Sequence, residues 1–143
     1  MIGGYPTSPY SRDVRLKREP EQTAYQRWGG EPFFTALVER FYAGVATDPL
    51  LRPMYPDDLT ESKVHFALFL MQYWGGPREY SDRRGHPRLR MRHAPFVIGT
   101  AQAEAWLRHI TKAVDTAGLD EADRADLLDY LTMAAHSMVN TPG

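Results

Sequence analysis

The sequence predicts an all-α fold, on three observations. Apolar residues recur at three- and four-residue spacing over several long windows, as on one face of a helix. No segment alternates apolar and polar residues with the period of two that a half-buried strand requires. Gly and Pro pairs fall between the periodic windows, where helices stop and start.

The elements follow in order. Residues 1–22 are rich in Gly, Pro, Ser and charge with little apolar periodicity, and are expected to form a flexible extension ahead of a single domain over 23–143. From Ala24 the pattern turns helical. Gly29-Gly30-Glu31-Pro32 is a break followed by a helix start, Pro32 suiting the first turn. Phe33, Leu37, Val38, Phe41, Tyr42 and Val45 form the inner stripe of the first long helix. Thr47-Asp48-Pro49 restarts the chain as a short helix ending near Pro53. Thr60 reads as the N-cap of the next helix, with Leu59 and Val64 at staple spacing. That helix, about 61–74, is apolar over a wide arc. Val64, Ala67, Leu68 and Met71 make one stripe, and Phe66, Phe69, Leu70 and Tyr73 a second, so it must be covered on more than one side. Gly75-Gly76-Pro77 ends it. Residues 78–92 are basic and irregular, with one short helix. Gly99-Thr100 opens a helix carrying Ala103, Trp106, Leu107, Ile110 and Val114, closed at Gly118. Asp120 caps a last helix with Leu127, Leu128, Leu131, Ala134, Ala135 and Met138 on its inner face.

Composition bounds the function. A chain of 143 residues supports one core. A net charge of −1 argues against a general nucleic-acid binder or a polybasic membrane protein. No run of apolar residues is long enough to span a bilayer, and the N-terminus lacks an apolar signal core, which points to a cytoplasmic location. The absence of cysteine excludes disulfides, thiolate-held metals and covalent haem attachment through Cys-x-x-Cys-His.

Of the five histidines, none is spaced from a second ligand as in a zinc or di-iron motif. His93 has the most suggestive setting, Arg-Met-Arg-His-Ala-Pro-Phe. Pro95 disfavours helix at Ala94, so His93 falls at a helix end with the chain free to turn away. Arg88, Arg90 and Arg92 precede it; Phe96, Val97 and Ile98 follow. A flat apolar cofactor with two carboxylates, such as haem, would find an iron ligand, cationic partners and an apolar wall there. A structural histidine at a helix end would look the same. Tyr42, Tyr55 and Trp106 are candidates for the opposite side of such a ring, because a buried phenol or indole needs a partner for its polar tip; ordinary core aromatics would also read this way. The five arginines between 83 and 92 exceed what two carboxylates need, and a solvated basic loop accounts for the rest equally well.

Gly29-Gly30, Arg40-Phe41-Tyr42, Asp48-Pro49-Leu50-Leu51, Tyr55-Pro56, Gln72 to Pro77, Gly85 to Phe96 and Ala134-Ala135-His136-Ser137 occur in the order found in truncated haemoglobins, and the chain resembles group II, the O-type, as in actinobacteria. The resemblance covers roughly 24–140. It implies a two-over-two helical sandwich around non-covalent haem b, with His93 as the iron ligand. It implies a distal side built from Tyr42, Tyr55 and Trp106, with Ser62 and Phe66 at two further distal positions. Phe66 is bulkier than the Leu or Gln usual at its position. Arg92 and His65 are implied propionate contacts, and Leu70, Tyr73 and Phe96 further cofactor contacts. The implied function is reversible binding of O2, CO and NO at a five-coordinate iron, for O2 capture, transport, storage or sensing. The alternative is a redox enzyme for NO dioxygenation or peroxidase-like oxidation, served by an electron-donating reductase. A haem-free helical interaction domain is the reading from another class. A homodimer is compatible with each.

Overall fold

The computed structural model describes residues 22–85 and 98–141. His86, Arg88, Arg90, Arg92, His93, Phe96, Val97 and the extension up to residue 21 lie outside the described residues.

Helix α1, Ala24–Trp28, is short and doubly capped. The Thr23 hydroxyl accepts from the Gln26 amide at 3.2 Å and the Gln26 side chain accepts from the Thr23 amide at 2.9 Å, a reciprocal box that satisfies two groups a helix start leaves bare. Helix α2, Glu31–Ala46, buries Phe34, Leu37, Val38, Phe41, Tyr42 and Val45. The stripe therefore begins one residue later than the spacing suggested. Phe34 is fully buried, while Phe33 is half-buried, its ring 5.6 Å from Trp28. A turn and a 3-10 segment, Arg52–Met54, replace the expected short helix after α2.

Helix α3, Thr60–Tyr73, starts differently from the sequence reading. Thr60 is its first residue, and the Asp58 carboxylate accepts the Thr60 amide at 2.9 Å. An aspartate two residues upstream does the capping by a local turn of its own. Val64 stays exposed. Helix α4 is Glu79–Arg84, α5 is Thr100–Asp115 and α6 is Glu121–Ser137. Asp120 caps α6 as expected, accepting from the Asp123 amide at 2.9 Å.

Helix α2 packs on α3 and on α5, and α5 packs on α6, so the α2–α3 pair lies over the α5–α6 pair. This is the two-over-two helical arrangement. No strand occurs among the described residues. Phe34, Leu37, Phe41, Leu70, Ile110, Leu127 and Leu131 form one buried cluster through the centre. Arg40 ties the α2–α5 contact at its edge: its guanidinium donates twice to the Ala113 carbonyl, at 2.9 and 3.3 Å, filling an acceptor in the last turn of α5.

The segment leading into α1 docks on the end of α3. The Tyr25 amide donates to the Trp74 carbonyl at 2.8 Å, and the Trp28 and Trp74 rings sit 5.1 Å apart. Gly75 and Gly76 permit this approach. Gly75 has φ 97°, and a Cβ on Gly76 would fall 2.6 Å from Tyr25 Cδ1 and 2.9 Å from the Met71 carbonyl. Beyond ending α3, then, the glycine pair makes room for Tyr25. Gly76→Ala should destabilise the fold by about 1–3 kcal/mol, the usual cost of overpacking. Urea unfolding should show a lower midpoint with an unchanged slope; a parental midpoint would mean the docking is loose.

Candidate functional site

A cavity of about 320 Å³ is lined by helices α3 and α6. Helix α3 contributes Ser62, His65, Phe66 and Phe69; α6 contributes Tyr130, Leu131 and Ala134, followed by Met138. Tyr42 of α2, Met54, Tyr55 and Pro56 of the connector, Tyr80 and Arg84 of α4, and Trp106 of α5 complete the lining. Periodicity accounts for much of this. Of the expected second stripe of α3, Phe66 and Phe69 turn to the cavity, while Leu70 joins Ala67 in the core.

One wall is aromatic with polar tips. Tyr42 is 4% exposed, and its ring meets Tyr55 edge-on at 5.5 Å. The Tyr42 hydroxyl and the Trp106 indole stand beside the Tyr55 phenol and act on it electrostatically. Burial pushes the Tyr55 phenol up to about 12, its neighbours Trp106 and Tyr42 holding it back in part. Burial pushes Tyr42 higher still, reinforced by its neighbour Tyr55. Both phenols are therefore neutral through the physiological range. Phe66 fills the angle between the partners, its ring 6.3 Å from Tyr42 and 5.9 Å from Trp106, with Phe41 behind it at 5.5 Å.

Away from that wall, half-buried Arg84 donates to His65 Nδ1 at 2.9 Å. The acceptor role leaves the His65 proton on Nε2 when the ring is neutral. The bond gathers one cation and an imidazole on the cavity lining.

Of the sequence-derived candidates, the structure brings Tyr42, Tyr55, Ser62, His65, Phe66 and Trp106 to this one cavity. Leu70 is fully buried in the core and is not among the lining residues. Tyr73 is 52% exposed; its ring stacks at 3.9 Å on Tyr130, which does line the cavity. His93, Arg92 and Phe96 lie outside the described residues. Sequence reasoning missed Tyr80, Arg84 and Tyr130. Tyr130 had a usable signal, since it stands three residues after Leu127 and four before Ala134 on the inner face of α6. Arg84 was one of five arginines, with nothing in the pattern to single it out.

The model of the bacterial-like globin family matches residues 23–140. Group 2 truncated hemoglobin YjbI of Bacillus subtilis (strain 168) is 45% identical over 111 residues, 78% of this chain and 84% of that protein. Among solved structures, a thermostable hemoglobin from the actinobacterium Thermobifida fusca is 54% identical with a TM-score of 0.83, covering 85% of this chain and 100% of the other. The group II truncated hemoglobin from Bacillus anthracis is 42% identical with a TM-score of 0.84, over 87% of this chain and 96% of the other. These similarities span both helix pairs and the cavity between them, and the chain belongs to the bacterial-like globin family, as a truncated haemoglobin of group II.

Proposed function

We propose that this chain binds O2, and with it CO and NO, reversibly at a five-coordinate haem b iron ligated by His93. The convergence of Tyr42, Tyr55 and Trp106 on one wall of the cavity between α3 and α6 carries this reading. Membership of the globin family already implies haem-based gas binding.

The residues present fit the cofactor. Phe66, Phe69, Leu131 and Ala134 offer apolar faces from both sides, as a flat macrocycle requires. Arg84, with His65, supplies donors of the kind that pair with carboxylates. The chain has no cysteine, so attachment is non-covalent. In this reading His93 is the protein ligand to iron, with Arg92, Arg84 and His65 toward the propionates. When bound, haem supplies an iron with one open position for a diatomic ligand.

The chain's own residues do the rest. The aromatic wall excludes water, which strengthens any hydrogen bond made there. In this reading Tyr42 and Trp106, which stand beside Tyr55 on the wall, both donate to its oxygen. Their protons are engaged, and the Tyr55 hydroxyl proton is the one left to donate to a ligand. Tyr42 and Trp106 act mainly by holding Tyr55 in place.

The purified protein should carry haem that acidified organic solvent extracts, visible as a Soret band. His93→Gly should lose the haem or hold it only with added imidazole; an unaltered spectrum in that variant removes His93 from the site.

Tyr55→Phe should speed O2 release about three- to ten-fold, since a hydrogen bond is worth about 0.5–1.5 kcal/mol or more and 1.4 kcal/mol is a factor of ten. Tyr42→Phe and Trp106→Phe should do less, and combining either with Tyr55→Phe should add little. Stopped-flow displacement of O2 by CO measures this. Parental release in all three single variants would sink the distal assignment.

The buried phenols also set an alkaline limit. Tyr55 is neutral up to about 12 when folded but ionises near 10.0 when unfolded, so it contributes stability fully below pH 10 and loses it as pH rises toward 12. Urea unfolding across pH 9–11.5 should show stability falling less steeply in Tyr55→Phe than in the parent; equal slopes would mean the phenol is more hydrated than its burial indicates.

A further inference from the structure

Asp48 and His109 lie outside the cavity lining, yet they touch every element that carries its hydrogen-bonding wall. His109 Nε2 donates to Asp48 Oδ2 at 2.7 Å, both side chains being largely covered. The other Asp48 oxygen accepts the Leu50 amide at 2.8 Å. The Asp48 carbonyl accepts from Leu51 and Arg52 at 3.2 and 2.8 Å, and its amide donates to Val45 at 3.0 Å. One residue thus joins the end of α2, which carries Tyr42, to the connector that leads through buried Leu51 to Tyr55. Through His109 it joins both to α5.

Two further features mark the contact as built. His109 stands three residues after Trp106, so the two are neighbours on the α5 surface. The imidazole packs against α2 at Gly44, where a Cβ would fall 2.4 Å from His109 Nδ1. Only a residue without a side chain admits the ring there. The His109 N–H and the Leu50 amide together hold the Asp48 carboxyl below its usual range, so the carboxylate persists at neutral pH.

We propose that the Asp48–His109 pair is a positioning clamp: it fixes the register of α5 against the connector, and so keeps the Trp106 indole against the Tyr55 phenol and sets how long the cavity holds its diatomic ligand. The last clause rests on the gas-binding reading above; the placement of Trp106 does not. Neither Asp48 nor His109 touches the ligand. The clamp acts on ligand release through the Trp106–Tyr55 contact, which separates it from a residue that merely stabilises the fold.

The test uses the purified protein and two readouts. The first is the Trp106 indole N–H resonance, identified among the three tryptophans by its loss in Trp106→Phe. The second is the O2 dissociation rate. His109→Leu removes the donor and keeps an apolar side chain, and should shift the indole resonance, speed its exchange with solvent and raise O2 release about three- to ten-fold, the worth of one hydrogen bond. His109→Gln, which keeps an N–H near Nε2, should restore both to within about two-fold of the parent. In a Trp106→Phe background, His109→Leu should change O2 release by less than about two-fold, because coupled residues are non-additive. Should His109→Leu fail to fold, Gly44→Ala displaces the same ring and should move both readouts the same way. An unmoved indole resonance in His109→Leu, or in Gly44→Ala in its place, overturns the clamp. So does an equal acceleration of O2 release with and without Trp106. Absence of a Soret band from the parent protein would instead overturn the haem reading, and the indole resonance would still decide the clamp.

Discussion

Gathering the polar tips of Tyr42, Tyr55 and Trp106 on one wall of the cavity is the constraint the rest of the architecture has to meet. A buried hydroxyl or indole N–H without a partner costs on the order of 1–3 kcal/mol, so the three groups must satisfy one another. All three stand together around the Tyr55 phenol. Those groups come from α2, the connector and α5, and side-chain hydrogen bonds tolerate errors of only a few tenths of an ångström. The helix crossing therefore has to be exact where these residues meet. The Arg40 bonds to the Ala113 carbonyl and the fit of His109 over Gly44 lie at the same α2–α5 interface. The polar wall and the crossing are one problem solved together.

How much of this was legible in the sequence follows from what periodicity encodes. It reports which face of a helix is covered, so the four long helices, the double stripe of α3 and the Asp120 cap could all be read. It does not report what covers a face. Phe33 and Phe34 are both apolar, and the packing sends Phe34 into the core and leaves Phe33 half-buried, with Trp28 against both rings. Thr60 and Asp58 both cap helices well, and the Asp58 turn takes the Thr60 amide first. The six candidates that share the cavity came from a long, ordered set of family motifs; spacing alone had left the aromatic trio open between core packing and ligand contact. The Asp48–His109 pair was invisible for a different reason. Its members are 61 residues apart, each unremarkable in its own segment, and the glycine that makes room for the ring is on a third.

Tyr73 shows the limit from the other side. It falls on the cavity-facing stripe of α3, but at the last position of the helix, where the stripe has already rotated past the gap. Its ring closes on Tyr130 instead, and with Trp74 it forms an aromatic bridge from the end of α3 to α6. That bridge is the point at which the two helices lining the cavity meet through their side chains. It sets one end of the gap, while α4, bearing Tyr80 and Arg84, covers another part of it.

The resulting cavity is chemically lopsided, and this gives it an orientation as well as a volume. Neutral hydrogen-bonding aromatics occupy the wall formed by α2, the connector and α5. Arg84 and His65, a cation with an imidazole, come from α4 and α3. Between them Phe69, Leu131 and Ala134 offer only carbon. An occupant with an apolar body and an anionic edge has its edge drawn toward the guanidinium, because a carboxylate placed against the phenol wall would have to be desolvated with no positive charge to offset the cost. The same asymmetry keeps charge away from the aromatic wall, where a small ligand would meet oriented neutral donors in a water-poor space. Polarity that distinguishes the two sides of one cavity thus divides its work between holding a large planar group and tuning what binds beside it.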